Sequence, residues 1–117
     1  MSISEPLMQS VLIGEAVEHA PVAILVSDEE GRYVAANEHA CELLGYTREE
    51  LLGLSVADLR RGDTEPTEVA EVQAHGRHDG ITELTRKDGV ALRLRYRASE
   101  TRIAGLLYYV SVSWPEP

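Results

Sequence analysis

The chain has 117 residues, with 11 lysines and arginines against 20 aspartates and glutamates, a net charge of −9 at pH 7. That length supports one hydrophobic core, the charge repels nucleic acid and anionic membrane surfaces, and a single cysteine, Cys41, excludes an internal disulfide framework. No apolar run approaches the ~20 residues of a membrane-spanning helix, and the N-terminal "MSISEPLMQS" lacks the basic flank of a signal peptide. The expectation is a soluble cytoplasmic domain with neither nucleic acid nor membrane as partner.

Residues 3–18 place Ile3, Leu7, Val11, Gly14 and Val17 at helical spacing, with Ser4 able to cap and Pro6 acceptable in the first turn. This predicts an amphipathic N-terminal helix, in a segment 1–19 set apart from a domain over 20–114 and a short tail, 115–117. Pro21 stops the helix. "VAILVS" (22–27) and "RYVAA" (32–36) then read as two strands joined by the "DEEG" turn, hence a hairpin. Asn37 is a good N-cap for a helix carrying Ala40, Cys41 and Leu44, and Gly45 supplies a left-handed exit. Thr47 and Glu50 form the S/T-x-x-E capping box of a second short helix with Leu51 and Leu52, closed by Gly53. Both helices are too short to stand alone in water and must pack on the strands.

After the polar "RRGDTEP", residues 66–75 read as a third helix, with Pro66 in its first turn and Val69 and Val72 on one narrow apolar side. "ITELTR" and "VALRLRYRA" follow as strands. The second alternates strictly, with Val90, Leu92, Leu94, Tyr96 and Ala98 inward and Arg93, Arg95 and Arg97 outward. A three-residue Lys-Asp-Gly loop sets Leu84 opposite Leu92 and Glu83 opposite Arg93, which matches the faces better than a two-residue turn. Residues 103–113, "IAGLLYYVSVS", read as one last strand, apolar on both faces except near its end and therefore central. Mostly hairpin connections around short helices describe an α+β domain with an antiparallel sheet covered on one face.

At this point "APVAILVSDEEGRYVAANEHACELLGYTREELLG", the following "ADL" and the later "RKDG" resemble a PAS domain, the sensory module common in bacterial signalling proteins, over roughly residues 14–112. The resemblance implies a five-stranded antiparallel sheet in the order 2-1-5-4-3, with short helices on one face. It also implies a ligand or cofactor held between sheet and helices, or a dimerising relay, without shared catalytic residues. Function must then be argued from the site.

Three kinds of chemistry can be weighed on the letters. The flavin-binding photoreceptor branch of the family, the LOV domains, carries its adduct cysteine where this chain has Val56, in Leu54, Ser55, Val56, Ala57, Asp58, Leu59, Arg60; Cys41 lies fifteen residues earlier. The resemblance therefore implies no LOV-type flavin adduct. In haem PAS domains the ligand histidine sits near the start of the helix before the third strand, around Thr64 to Thr67 here; His75 and His78 fall at its far end and read as solvated residues beyond a helix broken by Gly76. Neither haem nor a metal is expected. Cys41 and His39 are two apart on a helix and point in different directions, so nucleophilic catalysis is not expected, and Cys41 reads as a buried wall residue.

The expected function is thus a non-catalytic sensory module, binding a small apolar ligand or relaying signals through homodimerisation to a signalling partner. The alternatives are a ligand-free interaction module or a haem or flavin sensor. The candidate pocket wall comprises Ile24, Val26, Cys41, Leu44, Val56, Leu59, Val69, Val72, Leu92, Leu94 and Tyr96. The absence of phenylalanine favours a small or flexible ligand over a planar cofactor. The candidate dimer interface comprises Ile3, Leu7, Met8, Val11 and Leu12, a stripe more apolar than one exposed helix should carry; the alternative is a helix covering its own sheet. Family members linked to output modules end the last strand with Asp-Ile-Thr and a signalling helix. Here "VSVSWPEP", with Pro115 and Pro117, discourages that helix. A stand-alone unit and a piece of a longer protein both fit, with Met1 pointing to a native start.

Overall fold

The computed structural model describes residues 5–60 and 76–117. The expected helix at 66–75 lies outside the described residues, as does Ile3. In chain order the elements are α1 (Glu5–Glu18), β1 (Ala23–Ser27), β2 (Tyr33–Ala36), α2 (Glu38–Leu44), α3 (Arg48–Leu51), α4 (Val56–Leu59), β3 (Arg77–Thr85), β4 (Ala91–Ile103) and β5 (Leu106–Pro115). The strands form one antiparallel sheet in the order β2-β1-β5-β4-β3.

The local signals build the helical half as expected. Asn37 caps α2, Gly45 closes it with a φ of 80°, and Thr47 and Glu50 exchange both bonds of a capping box at α3. At α4, a turn not expected from the sequence, Asp58 reaches back to accept from the Ser55 N–H at 2.8 Å and from its hydroxyl at 3.1 Å. These short helices are held by tertiary contacts, since one or two turns are not stable alone. Leu44, Leu51, Leu59 and Leu94 are fully buried between helices and sheet, with Ala23, Leu25, Tyr33, Ala36, Ala40 and Leu84 completing the core.

The Lys-Asp-Gly loop gives the expected register, Leu84 opposite Leu92 and Glu83 opposite Arg93. Its backbone also reaches the helices: the Lys87 N–H donates to the Leu44 carbonyl at 2.9 Å, satisfying the end of α2, while the Lys87 ammonium pairs with Glu50. The inward set on β4 is smaller than expected. Leu94 and Tyr96 are buried, but Val90 is 51% exposed, because it sits in the loop before the strand begins.

The last strand is corrected. Residues 103–113 do not form one strand: Ala104 and Gly105, with φ of 51° and 80°, make a two-residue hairpin turn between Ile103 and Leu106. Two successive positive φ values are those of a type I′ turn, whose twist suits antiparallel strands. Alanine gives no sequence signal for such a position and is strained there. Ala104→Asn, which produces the favoured Asn-Gly pair, is expected to raise stability by about 0.5–1 kcal/mol in a urea titration; no gain would mean that the strain is relieved elsewhere.

The N-terminal helix α1 runs about 21 Å and carries no buried residue. It makes no substantial packing interface with any strand. Leu7, Met8, Val11, Leu12, Ile13 and Val17 are all exposed, and Ile13, one turn before Val17, falls on the far side of the helix from Met8 and Val11, so the amphipathic character is weaker than the spacing implied. The alternative in which α1 covers its own sheet is thereby overturned.

Candidate functional site

Alternation along each strand divides the sheet into an inner face under the helices and an outer face. On β1 the buried residues are Ala23, Leu25 and Ser27, whereas Ile24 and Val26 lie on the other face opposite Val112 and Val110. Ile24 and Val26 therefore do not belong to the pocket wall. "VAILVS" is nearly all apolar, so its composition carries no phase; the contacts of β1 with α2 and β5 supply it.

Between the inner face and α4 lies a cavity of about 80 Å³. Among the described residues its wall is Leu25, Ser27, Tyr33, Val56, Thr82, Leu84, Tyr96, Ala98, Tyr109, Ser111 and Ser113. Of the expected wall, Val56 and Tyr96 line it. Leu44, Leu59 and Leu94 are instead fully buried core, and Cys41 and Leu92 pack partly buried against that core. Val69 and Val72 lie outside the described residues.

The cavity exists because small residues occupy the middle of the inner face. Ala98 pairs with Ser111, and the Gly80, Tyr96, Ser113 row crosses three strands. A Cβ at Gly80 would stand 3.0 Å from the Tyr96 hydroxyl and 3.3 Å from His78 Nε2, so the missing side chain admits both rings. His78 itself is part of β3, half-buried with its ring centroid 5.8 Å from that of Tyr96, and not a solvated residue beyond a helix.

The wall is also more polar than the expected aliphatic pocket. Ser27, Ser113 and Tyr109 are buried to 8%, 5% and 8% exposure, and no charged side chain lines the cavity among the described residues. Ser111 Oγ makes one long bond, 3.5 Å, to the Leu25 carbonyl, whereas the Ser27 and Ser113 hydroxyls face the cavity without a partner among the described residues. The period-two run Tyr109, Ser111, Ser113 at the less apolar end of the strand is the sequence signal for this wall.

Cys41 offers no nucleophile. Burial pushes its thiol above the ordinary range, against the opposing charge of Arg48, so the thiolate is scarce at neutral pH. No three His, Cys, Asp or Glu side chains among the described residues gather where a metal ion could sit. No described helix is long and apolar enough to cross a membrane.

The second feature of the site is the joint between α1 and the domain. Asn37, 4% exposed, uses its whole amide: Oδ1 accepts from the Ile24 and Ala40 N–H groups at 2.9 and 3.0 Å, and Nδ2 donates to the Val17 and Val22 carbonyls at 2.8 and 3.0 Å. One side chain thus ties the last turn of α1 to β1 and to the start of α2. Two ion pairs flank it, Arg48 with Glu18 and His19 with Glu38, the latter at 2.9 Å, and His19 also reaches Glu15 at 3.3 Å.

The hydrogen bond to Glu38 raises the His19 pKa, aided by the charges of Glu38, Glu15 and Glu18. A raised folded value means that the protonated clasp contributes fully below the ordinary imidazole pKa of about 6.5 and is lost as pH rises through the higher folded value. An NMR titration of the His19 ring is expected to show a midpoint above that ordinary value, falling toward it in Glu38→Gln. An unchanged midpoint in the variant would remove Glu38 as the cause.

An antiparallel 2-1-5-4-3 sheet with short helices on one face and a small cavity beneath them defines the class of domain, an α+β fold with one helix-covered and one open sheet face. The PAS fold family model matches residues 14–107, and the chain belongs to that family. Among solved structures it is similar to the PAS domain of an HTR-like protein from Haloarcula marismortui (21% identity, 97% of each chain, TM-score 0.81). It is also similar to the PAS domain of a protein from Colwellia psychrerythraea (21%, 92% of this chain and 97% of that one, TM-score 0.84). A third is a domain of a sensory box sensor histidine kinase/response regulator from Geobacter sulfurreducens (25%, 94% and 97%, TM-score 0.78). Among curated proteins none matches.

Proposed function

We propose that this domain is a non-catalytic sensory and relay module that pairs with a second copy of itself through α1 and takes a small molecule into the inner-face cavity. The observation that carries the reading is α1. A helix of 14 residues without one buried side chain is not stable by itself in water, yet its last turn is held by the amide of Asn37. A helix so anchored and so uncovered is supported best by a partner surface.

The outer face of a second copy fits that role. It offers apolar Ile24, Val26, Val110 and Val112, and α1 brings the exposed apolar side chains of Leu7, Met8, Val11 and Leu12. Asn37 connects α1 with β1, and β1 supplies Leu25 and Ser27 to the cavity wall. Occupancy of the cavity and the angle of α1 are therefore mechanically linked through one strand. That family neighbours include a domain of a sensor histidine kinase/response regulator supports signalling as the setting, with a partner protein reading the change.

Sedimentation velocity tests the pairing. The full chain is expected to be dimeric at tens of micromolar, and Leu7→Glu with Val11→Glu, both at exposed positions that leave the core untouched, is expected to yield a folded monomer. A monomeric parent chain, or a dimer indifferent to both charges, would overturn it.

A further inference from the structure

From the unpartnered serines of the cavity we infer the class of ligand: a small uncharged organic molecule with an apolar or aromatic body and one hydrogen-bonding head, such as a phenol or a cyclic alcohol. This rests on the cavity being a ligand site, as proposed above, and specifies what it selects. Size comes first. At about 10–15 Å³ per water-sized centre, a cavity of about 80 Å³ accommodates roughly five to eight heavy atoms.

Charge comes second. No charged group lines the cavity among the described residues, and burying an ion there without a counter-charge is strongly unfavourable. A carboxylate or an ammonium group is thereby disfavoured. The third argument is polarity. Ser111 and Ser113 stand two apart on the same face of β5, Ser27 projects from the neighbouring β1, and the Ser27 and Ser113 hydroxyls, each more than nine-tenths buried as residues, lack a partner among the described residues. Hydroxyls that line a cavity and bond no described protein group are available to a guest, so a guest that supplies a donor and an acceptor is favoured over one that supplies neither. Leu25, Val56 and Leu84 meet the guest's body, and a ring can lie against Tyr109.

The test is a titration of the ¹⁵N-labelled full chain with phenol, cyclohexanol, toluene and benzoate, followed by amide shifts. Phenol and cyclohexanol are expected to move the amides of residues 25–27 and 111–113 saturably. Toluene should bind at least tenfold more weakly and benzoate not detectably. Ser27→Ala with Ser113→Ala should erase the preference of phenol over toluene while leaving toluene unchanged, and Ala98→Leu, which fills the cavity, should abolish both. Toluene binding as tightly as phenol, tight benzoate binding, or a preference that survives loss of both hydroxyls would overturn the assigned class while the cavity remains a ligand site. Saturable shifts with none of the four would overturn the class and, with it, the sensor half of the proposed function, leaving dimerisation to be judged by sedimentation.

Discussion

Asn37→Ala is expected to cost about 3 kcal/mol of stability and to release α1 from the domain. The side chain satisfies two N–H groups and two carbonyls at once, from α1, β1 and α2. An unsatisfied buried backbone group costs about 1–3 kcal/mol, and loss of an N-cap alone costs about 1 kcal/mol. The cost stays below the sum because the Val17 carbonyl, at the end of an exposed helix, regains water. Urea unfolding measures the cost, and hydrogen exchange locates it: protection at residues 15–20 should disappear before that of β1. Asn37→Asp separates the two jobs. It keeps an acceptor for Ile24 and Ala40 but sets a carboxylate against two carbonyls, so α2 should stay capped while α1 detaches. A cost under 1 kcal/mol, or unchanged exchange at α1, would show that Asn37 is only a cap.

Leu25→Ala is expected to cost about 3 kcal/mol, within the usual range for a leucine removed from a core, whereas Val26→Ala at low protein concentration should cost well under half of that. Leu25 is 4% exposed on the inner face beside the cavity; Val26 is half-buried on the outer face. The contrast between adjacent residues follows from the two-residue period of the strand alone. Concentration adds a second readout. If the outer face is covered by a second copy, the Val26→Ala penalty should grow as the protein is concentrated, because binding stabilises the folded state by mass action. Equal penalties at the two positions would mean that β1 presents the other face to the helices.

These expectations divide along a line that the sequence itself draws. Signals confined to four or five neighbouring residues were legible: Asn37 and Gly45 at the ends of α2, Thr47 with Glu50 at α3, and the loop that sets Leu84 opposite Leu92. Each of these is a backbone hydrogen bond or a φ angle satisfied by a side chain close in the chain. The motif set "NEHACELLGYTREELLG" with the Lys-Asp-Gly loop also pointed to the family, and through it to the sheet order.

What misled was apolar sequence without a phase. In "VAILVS" every residue but one is a candidate for the core, so the letters point Ile24 and Val26 toward a pocket that Leu25 and Ser27 line instead. In "IAGLLYYVSVS" the turn residue Ala104 carries no turn signal, so the hairpin is invisible in the letters, and the serines near the strand's end show their face only once it is paired. The domain's class, its caps and its charge are readable from the letters, because those are properties of near neighbours and of sums. Which face of β1 meets the helices, where small residues leave a cavity, and that α1 stands uncovered were decided only by the tertiary structure, because each depends on what distant segments bring to the same place.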